Sequence, residues 1–269
     1  MKVGEPEARF YRDMADRAGI HTRQCVWAGV DPDSRHGVVI TGDIAVEGAT
    51  FLEPGAPFGP DDLARSLGEL AALHAATWTI PAGEDPAWLA SPLKRVGGGR
   101  GVDVIQANYD GPIGAGVPDA ARDAPRLHRL YKVLAERVTQ DGPKPVVHGD
   151  AHVGNCFVDA AGRPGFLDWQ LVHRGPWYLD VGYHLASSLP VEQRRAHEDD
   201  LLRGYLDRLA AGGVDAPSFA EARDAVRLGM VHGFYLWSIT MLVKPEITTE
   251  LLTRLGTAVA DHDALSLLE

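Results

Sequence analysis

The sequence predicts an α+β chain: a small mixed segment in front of a larger, mainly helical body that holds one short hairpin of polar residues. Three observations carry this reading. Apolar residues recur at helical spacing over about residues 59–78 and through most of the chain from 190 onward. Two β-type runs, residues 26–30 and 38–41, flank a turn at Asp31–Gly37 rich in Asp, Pro and Gly. Between the helical stretches lies Val146–Gln170, in which polar loop residues are followed by two apolar stubs around a Gly- and Pro-containing turn.

Taken in order, Glu7 to Arg17 places Phe10, Met14 and Ala18 on one helical face, with Gly19 as a stop signal. The strand pair follows, and Thr41–Ala45 leads into the larger body. Gly59 to Trp78 reads as a helix capped by Asp61 or Asp62, with Leu63, Leu67, Leu70 and Leu73 facing the core and His74 packed among them. Residues 79–125 are less regular. Their run Gly97–Gly101 lacks the Gly-Lys-Ser/Thr of a phosphate loop and reads as a flexible connection. Asp119–Thr139, Glu192–Leu209, Phe219–Val243 and Thr248–Asp261 show helical spacing, and Met230, Phe234, Trp237 and Met241 make a stripe expected in the core, part of it facing a pocket.

Composition narrows the partners. With 269 residues and 45% hydrophobic content the chain can bury one large core or two modest ones. A net charge of −11 argues against nucleic acid and against an anionic membrane surface, both of which demand clustered Lys and Arg. Cys25 and Cys156 are far apart, without metal-site spacing, and Cys156 reads as a small apolar strand residue. The polar start and the lack of a long apolar run lead to the expectation of a cytoplasmic protein.

The chemistry concentrates at Asp150, Asn155 and Asp168. The first two lie five residues apart on a loop, and the hairpin should return Asp168 close to Asn155. Magnesium on phosphate oxygens takes a few hard oxygen ligands and keeps several waters, which Asn155 and Asp168 could satisfy. Asp150 is then free to accept the proton of an incoming hydroxyl, the division of labour in kinase phosphoryl transfer. Two other readings stand beside it. His148, Asp150 and His152 alternate and could bind zinc in a metallohydrolase, or the stretch could be a polar turn.

The pattern His148-Gly149-Asp150 with Asn155, followed by Leu167-Asp168-Trp169-Gln170, resembles the aminoglycoside-phosphotransferase-like kinases of small molecules. The Asp-Trp-Gln ending and the segment Glu7–Tyr11 are more similar to the ecdysteroid-kinase-like (choline-kinase-like) branch, and the similarity extends over about residues 2–240. The resemblance implies a protein-kinase-like two-lobe fold with a truncated N-lobe at residues 1–45 and a mainly helical C-lobe at 46–269. It implies an ATP- and Mg2+-dependent phosphotransferase acting on a small-molecule hydroxyl, with Asp150 catalytic and Asn155 and Asp168 on the metal. Residues 79–125 would contribute to the acceptor-site wall. Glu7 matches the helix glutamate of the nucleotide site. Lys2 stands either at the lysine that pairs with it or as a solvated terminal residue. Asp43 is either a hinge residue beside adenine or a turn former. Asp180 is expected to brace the catalytic segment. The strand pair that covers the phosphates in such kinases has no counterpart before Lys2, so a nucleotide- or ligand-binding pseudokinase is the alternative.

Overall fold

The computed structural model describes residues 4–79, 86–99 and 101–269. The small front segment holds helix α1 (Glu5–Asp13) and the antiparallel strands β1 (Cys25–Val30) and β2 (Gly37–Thr41). Helix α1 packs against both strands and buries Ala8, Phe10 and Tyr11. The opposite sheet face carries Trp27, Val38 and Ile40, which are 54, 53 and 51% exposed. Expected strand positions hold, but α1 ends at Asp13, followed by a 3-10 turn over Ala15–Arg17 before Gly19.

The short strand β3 (Thr50–Phe51) then joins a three-stranded sheet whose other members come a hundred residues later. In the next helix, α2 (Pro60–Thr77), Asp62 reaches back to accept the Gly59 N–H at 2.8 Å, so Asp62 rather than Asp61 does the capping. Leu63, Leu67, Leu70, Leu73 and His74 are all buried.

The region 79–125 differs from expectation. Helices α3 (Leu93–Gly99) and α4 (Val102–Asp110) lie in it, and Gly97–Gly99 continue α3 instead of forming a loop. Gly97 lets α3 approach α5 (Ala124–Gln140): a Cβ there would sit 3.1 Å from the Tyr131 ring. Helix α5 starts five residues later than the spacing suggested, at a cap where Asp123 accepts the Arg126 N–H.

The strand β4 (Val146–Val147) leads into the functional loop, and β5 (Cys156–Val158) and β6 (Pro164–Phe166) form the expected hairpin. Strand β3 pairs antiparallel with β5 through Thr50 and Val158. Strand β7 (His173–Arg174) closes back on β4. Helix α6 (Tyr178–Ser188) is buried along its whole length, with α7 (Val191–Ala211), α8 (Phe219–Ser238) and α9 (Pro245–Asp261) around it.

Two glycines set the α6–α8 crossing. A Cβ on Gly182 would come within 1.9 Å of the Val226 carbonyl, and one on Gly229 within 2.0 Å of the Tyr178 carbonyl. Helix α8 stops at Ser238, five residues before the apolar pattern ends, because the Asn108 side chain donates to the Ser238 and Thr240 carbonyls and ties down the chain there. Met241 is therefore 61% exposed while Met230, Phe234 and Trp237 are buried. Among the described residues no helix is long and apolar enough to cross a membrane.

Candidate active site

The loop after β4 is held by a buried carboxylate. Asp180, in the first turn of α6, accepts the His148 N–H on Oδ2 at 2.6 Å and the Gly149 N–H on Oδ1 at 2.8 Å. His74 Nε2 meets the same Oδ2 at 3.2 Å, and Tyr205 holds the other side of that ring. Burial works against the Asp180 charge, but the His74 hydrogen bond, the nearby histidines and the Gly149 N–H outweigh it and hold the carboxyl below its ordinary value. Gly149 has φ 81°, and a Cβ there would meet the Leu171 carbonyl at 2.3 Å, so the turn into Asp150 needs glycine.

His148 is committed to backbone: Nε2 lies 2.7 Å from the Leu167 carbonyl, and Nδ1 accepts the Asp150 N–H. His152 Nδ1 accepts the Gly154 N–H, and burial pushes that imidazole down to about 3, leaving it neutral. These bonds commit both ring nitrogens of His148 and Nδ1 of His152 to the backbone. Among the described residues no three His, Cys, Asp or Glu side chains are grouped to hold a metal ion, so the alternation of His148, Asp150 and His152 in sequence does not become a three-ligand cluster.

The hairpin brings Asn155 and Asp168 together. The Leu167 N–H donates to the Asn155 carbonyl at 2.8 Å, directly after the last paired residues of β5 and β6. Asp168 itself turns into the left-handed region at φ 60°, which aims the chain away from the strand. Asn155 Nδ2 donates to the Asp150 carbonyl at 2.9 Å and to its Oδ2 at 3.3 Å. All three residues line one cavity of about 540 Å³.

The same cavity has an apolar part to its lining: Phe51, Leu52, Leu236, Trp237, Val243 and Ile247. The described residues of 79–125 contribute nothing to it, contrary to expectation, because α3 and α4 pack on α5 and α8 instead. The Asp150 side chain is 26% exposed, through the cavity. Burial nevertheless pushes its carboxyl up to about 6, with the Asp168 charge adding to the rise and His148, Tyr183 and Asn155 opposing it.

Around this centre the other expected residues fall differently. Glu7 accepts the Trp169 N–H, and burial together with the Asp168 charge raises its carboxyl. Its cationic neighbour is Arg23, at 3.6 Å. Lys2 lies outside the described residues. Asp43 is exposed and spends Oδ1 on the Ala45 N–H at 3.1 Å, a turn-forming role, and it does not line the cavity.

Thr22 joins the front segment to this centre. Its hydroxyl donates to the Phe166 carbonyl at 2.8 Å and lies 3.0 Å from both the Tyr11 hydroxyl and Trp169 Nε1. Trp169 is fully buried and stacks on Phe10 at 3.8 Å.

Tyr183 was not singled out by the sequence, although it touches Asp150: its hydroxyl donates to Asp150 Oδ1 at 3.1 Å. The readable signal was its spacing of three from Asp180, which puts both on one face of α6.

The donor set fits magnesium. Both Asn155 amide hydrogens point to Asp150, which leaves the amide oxygen for a cation beside the Asp168 carboxylate, a small hard-oxygen set of the kind Mg2+ takes with water and phosphate.

A loop carboxylate flanked by an amide and a second carboxylate, between a small sheet and a helical body, is the kind of arrangement that kinase-type phosphoryl transfer uses. The chain belongs to the phosphotransferase enzyme family, whose profile matches residues 4–221. Solved structures share the fold at low identity. A choline kinase from Streptococcus pneumoniae is 12% identical, with a TM-score of 0.53 over 98% of this chain and 81% of its own. A choline/ethanolamine kinase family protein from Mesorhizobium loti is 16% identical, with 0.55 over 99% and 82%. An aminoglycoside phosphotransferase from Streptomyces rimosus, solved with ADP and streptomycin, is 17% identical, with 0.53 over 87% and 82%. No curated protein matches the sequence.

Proposed function

We propose that this phosphotransferase moves the γ-phosphoryl group of ATP to a hydroxyl of a small molecule at the Asp150 cavity. The observation that carries the reading is that Asp150, Asn155 and Asp168 line a single cavity, with the backbone leading into Asp150 pinned by Asp180 and His148. Asp150 accepts the acceptor's hydroxyl proton. Its carboxyl, raised to about 6, is ionised at neutral pH and close enough to it to serve as a base. Asn155 and Asp168 hold Mg2+, which when bound neutralises charge on the phosphates. The apolar wall takes the body of the acceptor and excludes water. We assign residues 1–45, through Glu7, to the partial nucleotide-binding lobe and residues 46–269 to the lobe that carries the base and the acceptor cavity.

The test is a thermal-shift titration with ATP, with and without magnesium, followed by ATP-consumption assays on choline, streptomycin and an apolar alcohol. Magnesium-dependent stabilisation that disappears in Asp168→Ala supports the site. The absence of any nucleotide effect sinks the reading. The second reading is a nucleotide-binding protein without turnover. Stabilisation by ATP without consumption of it would select that alternative.

A further inference from the structure

The base does not stand alone on its loop. Asp150 Oδ1 receives the Tyr183 hydroxyl at 3.1 Å, and the Tyr183 oxygen in turn receives the Trp237 indole N–H at 2.6 Å. The direction of this chain is fixed by chemistry. An indole nitrogen only donates and a carboxylate only accepts, so the single Tyr183 proton must point at Asp150. Tyr183 is 1% exposed and its ring is seated against α8 where only glycine fits: a Cβ on Gly233 would lie 2.2 Å from ring Cδ2. The two side chains come from different helices, α6 and α8, and both line the cavity.

We propose, resting on the function inferred above, that Tyr183 is a positioning residue for the Asp150 base, polarised by Trp237. A single bond leaves Oδ1 a lone pair as well, but the relay orients the carboxylate through Oδ1 and so favours Oδ2 for the proton transfer. That second oxygen is held more loosely, by Asn155 Nδ2 at 3.3 Å, and keeps a lone pair for the acceptor. In the transfer the acceptor O–H bond breaks and its proton moves to Oδ2. The acceptor oxygen forms its bond to the γ-phosphorus as the bond from that phosphorus to ADP breaks, and the electron pair leaves with ADP. Asp150 then returns the proton to solvent through the cavity. Because Trp237 is also part of the apolar wall, an acceptor seated on that wall packs against the same side chain that orients the base.

The experiment compares wild type with Tyr183→Phe, Trp237→Phe, the double variant and Asp150→Asn, using release of phosphate from Mg·ATP with water as the acceptor. Each single relay variant should lower kcat about tenfold or more, a part of what a general base contributes, while KM for ATP stays unchanged. The double variant should be no slower than Tyr183→Phe, since both remove one chain. A kcat for Tyr183→Phe within about twofold of wild type, or losses that simply add, would overturn the relay. Full turnover in Asp150→Asn would instead remove the base itself, and inactivity there with full activity in Tyr183→Phe would remove only the relay. A second measurement needs no turnover. The indole N–H resonance of Trp237, identified by its loss in Trp237→Phe, should move upfield in Tyr183→Phe, and an unmoved resonance would refute the hydrogen bond on which the proposal stands.

Discussion

Removing the Asp180 carboxylate should unfold the loop from behind. In Asp180→Ala, two backbone N–H groups, of His148 and Gly149, and one ring nitrogen of His74 lose their shared acceptor inside the protein. A buried donor left unpaired costs about 1–3 kcal/mol, and breaking a buried charged network costs about 3–5 kcal/mol in all. For a chain of this size that is a fall of roughly 10 °C in melting temperature. Asp180→Asn keeps the shape and one acceptor oxygen, and should lose about half as much. The assay is urea unfolding followed by tryptophan fluorescence, since Trp169, Trp177 and Trp237 are all buried in the body around the loop.

The pH dependence gives a second check. The Asp180 carboxyl is held below its ordinary value, so its stabilisation is complete above the unfolded value of about 3.9 and is lost as pH falls through the lower folded one. The gap between wild type and Asp180→Ala should therefore narrow on acidification below about pH 4. A variant within about 1 kcal/mol of wild type at neutral pH would refute the bracing argument.

Other outcomes follow from the same geometry. Because the Asp150 carboxyl sits near 6, kcat/KM should fall as pH drops through that value, in a pH–rate series at saturating magnesium. Asp150→Asn should reduce kcat by about 10²–10⁴-fold. It should leave the melting temperature no lower, since between the unfolded value and about 6 the folded state binds the proton more tightly and stability declines as pH rises. Gly182→Ala should destabilise by about 3 kcal/mol or more, read by urea unfolding, because its methyl would collide with the Val226 carbonyl across the α6–α8 crossing.

The catalytic hairpin was legible because its signal is local: two apolar stubs, a Gly-containing turn, and polar residues at fixed offsets. The helical periodicity of α2, α7 and α9 likewise comes from each helix burying one face. What the sequence concealed depends on partners far along the chain. Nothing in Thr50–Phe51 announces that it will pair with a strand a hundred residues later. Gly97–Gly99 read as a loop by propensity, yet they close α3, where Gly97 packs on Tyr131. The early end of α8 is imposed by Asn108, from an element the irregular pattern of residues 79–125 hid. At the site, Asp150, Asn155 and Asp168 were readable as a motif. Tyr183 and Trp237 joined them only once α6 and α8 were crossed at Gly182 and Gly229.

The small hydroxyl of Thr22 carries a mechanical consequence. In one clasp it fastens the Tyr11 end of α1, the last carbonyl of β6 and the indole that follows Asp168, while Phe10 and Trp169 lie ring on ring. An aromatic residue in that place could act as a swinging latch, carrying the preceding aspartate in and out of the cleft. Here the latch is bolted at both ends. Swinging Asp168 out of the cleft by turning Trp169 would therefore have to break the Thr22 hydrogen bond to the indole and the Phe10–Trp169 stack.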